Sequence, residues 1–290
     1  MKSKNLFRKR QIVLLVLVGI FIYTGRLEFT NTEEEYQTYL EQQGCSDIHC
    51  GLVDTLGRSL HYTQVGQNEQ LPLVIFVHGS PGSSFEYKHL LADTSINKHA
   101  QLIAVDRLGF GLSSEHGVAE CSLEKQAAML KKLLDQFHNP YKILVGHSWG
   151  GPTIARLTMD YPKSADALIF LAASLSPDLE PSVWYRYILN FPLVRWAIPR
   201  TVVASNSELF TAQTELKKML PLWSKITIPC TVIQGQKDKL VPPANAIFAQ
   251  KMLINAPTQI QIVDSLNHFI PWLGPDLVRT AILEKLKNAQ

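Results

Sequence analysis

The amino-acid sequence predicts an α/β fold with a mostly parallel β-sheet, helices on both faces of that sheet, and a small helical cap. From about residue 51 onward, short apolar runs alternate regularly with longer segments of helical spacing. This alternation breaks between residues 176 and 225, where aromatic residues and prolines accumulate without a strand pattern. Because repeated strand–helix units cover both faces of a sheet, the two observations predict one sheet domain carrying one insertion.

The composition agrees with a globular domain and argues against several functional classes. The 290 residues are 46% apolar, which is enough for a substantial core, and the net charge is only +3. The one dense basic cluster lies at the N-terminus and consists of Lys2, Lys4, Arg8, Lys9 and Arg10. We therefore expect no nucleic-acid partner, because phosphate binding requires basic residues clustered on the folded domain. No pair of CxxC motifs is present, so we expect no zinc site of that type.

The first 25 residues have the layout of a secretory signal or a signal anchor. The basic cluster precedes an apolar run from Ile12 to Tyr23, which is short beside the about 17–25 residues of a spanning helix. Since no convincing small-residue cleavage pattern follows, we expect residues 1–25 to be an uncleaved transmembrane anchor, with a cleaved signal peptide as the alternative. The preceding basic residues predict a membrane-anchored domain on the extracytoplasmic side, periplasmic or extracellular.

The next segment, residues 26–50, is polar and acidic, and we expect a linker with a short helix around residues 33–43. Cys45 and Cys50 lie here, and their spacing allows a local disulfide in an oxidising compartment. Cys230 falls in an apolar run and is expected in the core, whereas Cys121 has no obvious partner.

The apolar runs predict the strands in chain order: residues 60–65, 73–77, 102–105, 141–145, 167–172, 230–234 and 260–263. The segments of helical spacing predict helices at residues 123–137, 152–160, 244–254 and 275–287. Ser122 is the predicted N-cap of the first of these helices. The core of the domain is therefore expected in residues 51–175 and 226–290. The insertion at residues 176–225 is expected to be a helical cap over the carboxyl edge of the sheet, where ligands of open α/β sheets bind.

The strongest chemical signal is the segment Gly146-His147-Ser148-Trp149-Gly150-Gly151. It follows a predicted strand and precedes a predicted helix, and in that setting a G-x-S-x-G pattern is a nucleophile elbow. The turn is so tight that only glycines fit before and after the serine, which takes a strained backbone conformation that projects its hydroxyl. The start of the helix also favours an oxyanion forming nearby. We predict Ser148 as the nucleophile.

A serine nucleophile needs a base to take its proton and a carboxylate to orient that base. His268 lies in the loop after the last predicted strand, and we predict it as the base. Asp238 lies in the turn after the preceding predicted strand, and we predict it as the acid, with Asp178 as the alternative. The chain order Ser148, Asp238, His268 is the order of a catalytic triad built on a nucleophile elbow.

An oxyanion hole requires two backbone N–H groups. Trp149, immediately after the nucleophile, is the first predicted donor. The second is Ser80, through its main chain, because the glycines around it in the segment from His78 to Gly82 let the backbone approach a substrate oxygen. Phe269, beside His268, and Trp184, in the cap, are the predicted substrate-binding residues.

These motifs resemble the α/β-hydrolase superfamily, in particular its capped branch of carboxylesterases, proline iminopeptidases and haloalkane dehalogenase-like enzymes. The resemblance covers about residues 51–290. It rests on His78 to Gly82, Asp106 to Ser113, the elbow, Gly235 to Asp238, and His268. It implies an α/β-hydrolase fold, a cap between the sixth and seventh strands, and no metal or organic cofactor. The loop from Asp106 to Ser113 is structural in that family, so Asp106 and Arg107 are not expected to be catalytic.

The nucleophile narrows the predicted reaction. The dehalogenase and epoxide hydrolase relatives use an aspartate at the position of Ser148, so the resemblance favours acyl transfer to water. We expect a carboxylesterase-like serine hydrolase that cleaves esters of fairly apolar small molecules. An aminopeptidase is the alternative, and it would need cap acids such as Glu180, Glu208 or Glu215 to hold a substrate's amino group. Carbon–carbon bond hydrolysis, acyl transfer and a non-catalytic binding module on the same fold are further alternatives.

Overall fold

The computed structural model describes residues 31–55, 57–181 and 183–289. The predicted anchor in residues 1–25 lies outside these ranges. Within them, no helix combines the length and the apolar character needed to cross a membrane.

One eight-stranded sheet forms the centre of the domain. Its strands are β1 (Ile48–Thr55), β2 (Arg58–Val65), β3 (Leu73–Val77), β4 (Gln101–Asp106), β5 (Lys142–His147), β6 (Ala167–Leu171), β7 (Cys230–Gly235) and β8 (Thr258–Val263). Their order across the sheet is β1-β2-β4-β3-β5-β6-β7-β8. β2 runs antiparallel to both of its neighbours, and all other neighbouring strands are parallel. The structure thus confirms the predicted α/β-hydrolase fold with its mostly parallel sheet.

Eleven α-helices lie among the described residues. They are α1 (Glu33–Gln42), α2 (Lys88–Leu91), α3 (Thr94–Asn97), α4 (Leu123–Leu134), α5 (Gly150–Asp160), α6 (Tyr185–Leu189), α7 (Pro192–Ala197), α8 (Arg200–Met219), α9 (Ala244–Met252), α10 (Ile270–Leu273) and α11 (Pro275–Leu286). Helices α6 to α8 follow β6 and precede β7, so the aromatic-rich insertion is helical. Ser122 caps α4 as predicted, with its side chain accepting from the Lys125 N–H.

Apolar side chains cover both faces of the sheet because successive residues of a strand point to opposite sides. Leu73, Ile75 and Val77 of β3 pack into the cluster under α4, α5 and α9. Val74 and Phe76 of the same strand pack into the opposite cluster, with α1, α2 and α11. The continuous apolar runs of the sequence therefore correspond to strands buried on both faces.

The prediction that residues 26–50 form a linker is corrected by the structure, because the described part of this segment packs on the sheet. Within its described part, α1 packs on the sheet through Tyr36 and Leu40, which are buried, and the Tyr36 hydroxyl donates to the Ser84 carbonyl at 2.9 Å. These two residues are four apart, so they share one helix face even though acidic residues surround them. β1 also begins inside this segment, and Cys45 and Cys50 are free thiols rather than a disulfide.

Candidate active site

The parallel strands bring the predicted site residues to one edge of the sheet. β4 lies on one side of β3 and β5 lies on the other side, so the order in which strands are added to the sheet reverses at the β3–β5 pair. Val77 at the end of β3 pairs with Gly146 near the end of β5. The crevice beyond such a switch point is where open α/β sheets bind ligands. The loop after β3 and the turn after β5 both open into it.

Ser148 lies in that turn with a left-handed φ of +51°. A non-glycine residue with this φ is strained, and the surrounding backbone holds it there: the Ser148 N–H donates to Leu171 O at 2.9 Å, and Ser148 O accepts from the Ser174 N–H at 3.2 Å. A Cβ on Gly146 would lie 2.6 Å from Gly150 O, and one on Gly150 would lie 2.1 Å from Val77 O. The turn has the geometry expected of a nucleophile elbow.

His268 and Asp238 meet beside this turn. The distance from His268 Nδ1 to Asp238 Oδ2 is 2.9 Å, and both side chains are buried. Because Nδ1 faces the carboxylate, Nε2 is the ring nitrogen left for another partner. A Cβ on Gly235 would lie 2.4 Å from Asn267 O, and the Lys237 N–H donates to Leu266 O at 2.9 Å. The turn that carries Asp238 therefore packs directly on the loop that carries His268.

Hydrogen bonds keep the Asp238 carboxylate ionised inside the protein. Its Oδ1 accepts from the N–H groups of Leu240 and Val241 at 2.9 and 2.8 Å, and its Oδ2 also accepts from Gln234 at 3.1 Å. Burial alone would raise the pKa of Asp238, but the hydrogen bonds from His268 and from these backbone groups outweigh burial and hold the pKa below its ordinary value. The negative charge is therefore in place to orient an imidazole and to stabilise its protonated form.

His147 connects the elbow to the His268 loop. Its Nε2 lies 3.0 Å from His268 O, and the two imidazole rings are 4.9 Å apart. Its Nδ1 lies 2.6 Å from the buried carboxylate of Glu86. Burial lowers the pKa of His147, but the facing Glu86 carboxylate outweighs burial and raises that pKa above its ordinary value. A positively charged His147 pairs with the Glu86 carboxylate through its charge and can donate from Nε2 to the His268 backbone.

The loop after β3 approaches the serine from the other side. A Cβ on Gly79 would lie 2.9 Å from Ser148 Cβ, so only glycine fits at this position without displacing the serine. The Ser80 side chain donates to the Ser205 hydroxyl of α8 at 3.1 Å. Trp149 is the N-cap residue of α5. Among the described residues, no acceptor binds the backbone N–H of Ser80 or of Trp149, so both groups are free to bind an oxyanion.

Arg107 holds this loop in place through its carbonyl groups. Its guanidinium donates to His78 O at 3.0 Å and to Gly79 O at 2.7 Å. The His78 ring bridges the same residues, because its Nδ1 lies 2.7 Å from Gly79 O and its Nε2 accepts from the Arg107 N–H at 2.9 Å. Burial, reinforced by the neighbouring Arg107 charge, lowers the pKa of His78 to about 4, so the ring is neutral. This agrees with the non-catalytic role expected for Arg107.

Glu208 of the cap helix α8 completes the Arg107 network. Its carboxylate accepts from both terminal nitrogens of Arg107, and from Gln126 Nε2 at 2.8 Å. Both charged side chains are buried. Gln126 in turn accepts from Thr153 of α5 at 3.0 Å. The ion pair therefore joins the cap, the β3 loop and the elbow helix, and like the pairing of Glu86 with His147 it was not predicted from the sequence.

The remaining predicted residues divide into two groups. The ring of Phe269 lies 5.7 Å from that of His268 and is half exposed, as a substrate contact requires. Trp184 is 72% exposed on the cap, and its ring contact among the described residues is with Tyr185, so the structure does not bring it to Ser148. Asp178, the alternative acid, is exposed, whereas Asp238 holds the imidazole.

Comparisons with known proteins agree with this architecture. The family described as alpha/beta hydrolase fold matches residues 72–198, which include β3, the elbow and the first two cap helices. The chain is 24% identical to the AB hydrolase superfamily protein YfhM of Bacillus subtilis, over 83% of this chain and 99% of that protein. Together with the fold, these matches support the predicted α/β-hydrolase superfamily. The similar proteins include hydrolases, which supports the prediction that this α/β-hydrolase is an enzyme.

Other similarities cover less of the relatives or establish only the fold. The α/β-hydrolase is 28% identical to mouse epoxide hydrolase 4, over 50% of this chain but only 38% of that protein. The crystal structure of a putative lipase from Acinetobacter baumannii aligns with a TM-score of 0.66 at 18% identity, covering 90% of this chain and 100% of that one. The hydrolases in this set attack different bonds, so the substrate class has to be argued from the site itself.

Proposed function

We propose that this α/β-hydrolase is a serine carboxylic-ester hydrolase that acts on fairly apolar small molecules through an acyl-enzyme on Ser148. The observation that supports it is the elbow: Ser148 is held at a left-handed φ next to a histidine whose Nδ1 binds a buried, ionised aspartate. Trp149, one predicted oxyanion donor, directly follows that serine, and Gly79, which precedes the other predicted donor Ser80, approaches it closely. Nothing in this set of groups favours a carbon–halogen or epoxide substrate.

The proposed reaction has two half-reactions. Ser148 Oγ attacks the ester carbonyl carbon while His268 Nε2 takes the hydroxyl proton, and the N–H groups of Ser80 and Trp149 bind the oxyanion. His268 then gives the proton to the departing alkoxide, which leaves as an alcohol and leaves an acyl group on Ser148. Water attacks this acyl group and loses a proton to His268, which then gives that proton to Ser148 Oγ as the carboxylic acid departs. Asp238 holds the imidazole and stabilises its positive charge in both half-reactions.

Aromatic side chains beside His268 favour an apolar substrate. Phe269 and Trp272 lie 5.7 Å apart, and both are about half exposed. Trp272 also contacts the ring of His147 at 5.7 Å. Partly exposed aromatic rings next to a reactive centre provide apolar contact area for a substrate.

The cap acids favour an ester over an aminopeptidase substrate. Glu208 is neutralised by Arg107, and Glu215 accepts from the Leu123 N–H at 3.0 Å and pairs with Lys218. Glu180 accepts from Ser174, and burial raises its pKa, which favours the uncharged acid. An aminopeptidase needs a charged carboxylate free to bind the substrate's ammonium group, and none of these three acids provides it.

The test is hydrolysis of p-nitrophenyl esters from acetate upward, beside amino-acid p-nitroanilides, together with labelling by a fluorophosphonate probe. We expect ester turnover and labelling that disappear in Ser148→Ala and persist in the control Ser265→Ala, which alters an exposed serine of the His268 loop. Triad deletions cost several powers of ten in rate. Near-normal turnover by folded Ser148→Ala would refute the proposal. Turnover of anilides alone would identify an aminopeptidase. The absence of both turnover and labelling would favour a binding module.

We also propose that residues 1–25 anchor the α/β-hydrolase in a membrane with its catalytic domain on the extracytoplasmic side. The support is the basic cluster followed by the apolar run from Ile12 to Tyr23. Fractionation should recover the enzyme with membranes, and protease added to intact spheroplasts should digest the domain. Recovery in the soluble cytoplasmic fraction would contradict this proposal, and recovery in the medium would indicate a cleaved signal.

A further inference from the structure

The outer side of the cap carries an exposed apolar surface formed by α6, α7 and the residues around them. We call it the cap aromatic surface, and its members are Trp184, Tyr185, Tyr187, Ile188, Phe191, Leu193 and Trp196. Each of these side chains is exposed, and neither α6 nor α7 contains a buried residue. Single exposed apolar residues are ordinary, but so many within one short segment form a contiguous patch of the kind that marks an interaction surface.

The charged residues within the segment that carries this surface all have one sign. Between Glu180 and Glu208 the sequence contains no acidic residue, and its three charged residues are Arg186, Arg195 and Arg200. Arg195 is exposed at the edge of the patch, and the Arg186 guanidinium donates to Leu209 O at 2.6 Å, which fixes it beside the aromatic rings. Tryptophan and tyrosine side chains accompanied by arginine are the composition of protein surfaces that lie in the headgroup region of anionic bilayers.

The described chain begins on the cap side of the domain. Asn31 lines the same cavity as Thr201, in the first turn of α8, and Trp272, which follows His268. Only the residues numbered 24 to 30 separate the apolar run ending at Tyr23 from Asn31, and an extended chain of that length spans at most about 25 Å. The apolar run is therefore attached to the domain on the side that carries the cap and the crevice.

We propose that the cap aromatic surface docks onto an anionic phospholipid bilayer, so that Ser148 takes its ester substrates from the lipid phase. The docking stands on the surface itself, whereas the lipid-phase substrate rests on the esterase function proposed above. A second copy of this chain fits less well, because a two-fold interface would bring the arginines of both copies together. The apolar run from Ile12 to Tyr23 also fits less well, because Arg8, Lys9 and Arg10 directly precede it.

Tryptophan fluorescence can test the docking in the full-length chain. Residues 1–30 contain no tryptophan, so all emission comes from the domain. Trp149 and Trp223 are only 1% exposed, whereas Trp184 and Trp196 are 72% and 53% exposed on the cap aromatic surface. We would reconstitute the chain in phosphatidylcholine vesicles with and without phosphatidylglycerol, using acyl chains brominated near the headgroup as quenchers. We expect strong quenching that increases with phosphatidylglycerol.

Two variants identify the source of the quenching. Trp184→Phe/Trp196→Phe removes the two reporters but keeps the surface apolar, and it should lose more than half of the quenching. The matched control Trp272→Phe removes a half-exposed tryptophan at the crevice and should retain most of it. Quenching that survives in the double variant would overturn the proposal, as would equal quenching in vesicles with and without phosphatidylglycerol.

Other occupants of the surface give different results. A second copy would leave the tryptophans unquenched and would allow a disulfide to form between chains carrying Trp196→Cys. If the apolar run covered the surface instead, the tryptophans would be unquenched and the protein would be a monomer. Either result overturns the docking. Fluorophosphonate labelling and co-sedimentation with vesicles are measured on the same samples. If the enzyme is labelled and sediments with the vesicles but its tryptophans are not quenched, only the docking is refuted. If the enzyme is not labelled, the esterase function is refuted, whether or not the tryptophans are quenched.

Discussion

The ion pair between Arg107 and Glu208 leads to the sharpest quantitative prediction, because it joins the cap to the loop that approaches Ser148. Glu208→Gln keeps the size of the side chain and removes its charge. Arg107 then stays buried with hydrogen bonds to carbonyl groups but without a counter-ion. Breaking a buried ion pair from one side costs about 3–5 kcal/mol of folding free energy, since the remaining charge is neither solvated nor paired.

A comparison with an exposed pair separates burial from charge. Glu124 also binds an arginine, Arg156, but its side chain is 70% exposed, so Glu124→Gln should cost about 0–1 kcal/mol. Urea unfolding at 25 °C, followed by tryptophan fluorescence in one detergent buffer, measures both variants. Equal losses of unfolding free energy in Glu208→Gln and Glu124→Gln would refute the reasoning, because burial would then have no measurable effect on the cost.

The same network also predicts an effect on catalysis that stability does not explain. Arg107→Leu/Glu208→Leu replaces the pair by apolar side chains, which should recover much of the stability lost in Glu208→Gln. The carbonyls of His78 and Gly79 would nevertheless lose the guanidinium that fixes them. Since removing one oxyanion donor costs about 10²–10³ in kcat, displacing the loop should lower kcat at least about tenfold. A double variant with both stability and kcat restored would show that the pair serves folding alone.

Three further predictions concern single residues of the site. Asp238→Asn should lower kcat by about 10⁴ with little change in KM, because an amide facing Nδ1 favours the wrong imidazole tautomer; esterase kinetics would check it, and a loss below tenfold would contradict it. Gly150→Ala should yield little folded protein, because its Cβ would lie 2.1 Å from the Val77 carbonyl oxygen; circular dichroism of purified protein measures this, and a native spectrum would be the contrary result. Glu86→Gln should destabilise the fold most below about pH 6.5, the ordinary histidine pKa. The pKa of His147 is raised in the folded state, so the stabilisation from its protonation is complete below the ordinary histidine pKa and is lost as the pH rises through the raised pKa. Urea unfolding across pH would detect this trend. A difference in unfolding free energy between wild type and Glu86→Gln that stayed constant with pH would contradict it.

Most of the sheet was predictable because its strands carry an unbroken apolar signal. β3 occupies the predicted residues 73–77, and the strands that hold the elbow and the Asp238 turn are displaced from prediction by at most two residues at either end. β1 was missed because it lies at the edge of the sheet, where one side of a strand is unpaired and polar residues are tolerated. α1 was undervalued because two buried residues among many acidic ones give little apolar periodicity.

In the candidate site, local features could be predicted from the sequence, whereas contacts between distant residues could not. The elbow is a local property: Gly146, Ser148 and Gly150 lie within five residues, and their close approach can be deduced from the turn itself. The ion pair between Arg107 and Glu208 joins residues 101 positions apart, and nothing in the neighbourhood of either residue identifies the other. Glu86 and His147 present the same difficulty. Local strain can therefore be read from a sequence, whereas the choice of a distant partner depends on how the cap and the sheet pack.

That distinction changes how the loop from Asp106 to Ser113 is understood. Its residues have no expected catalytic role, yet Arg107 contacts the carbonyls of the β3 loop and a carboxylate of the cap at the same time. A rotation of α8 that moved Glu208 would leave a buried guanidinium unpaired, so the cap and the oxyanion loop are energetically coupled. If the cap aromatic surface rests on a bilayer, this ion pair and the adjoining contact between Ser80 and Ser205 transmit a force on the cap to the loop beside Ser148.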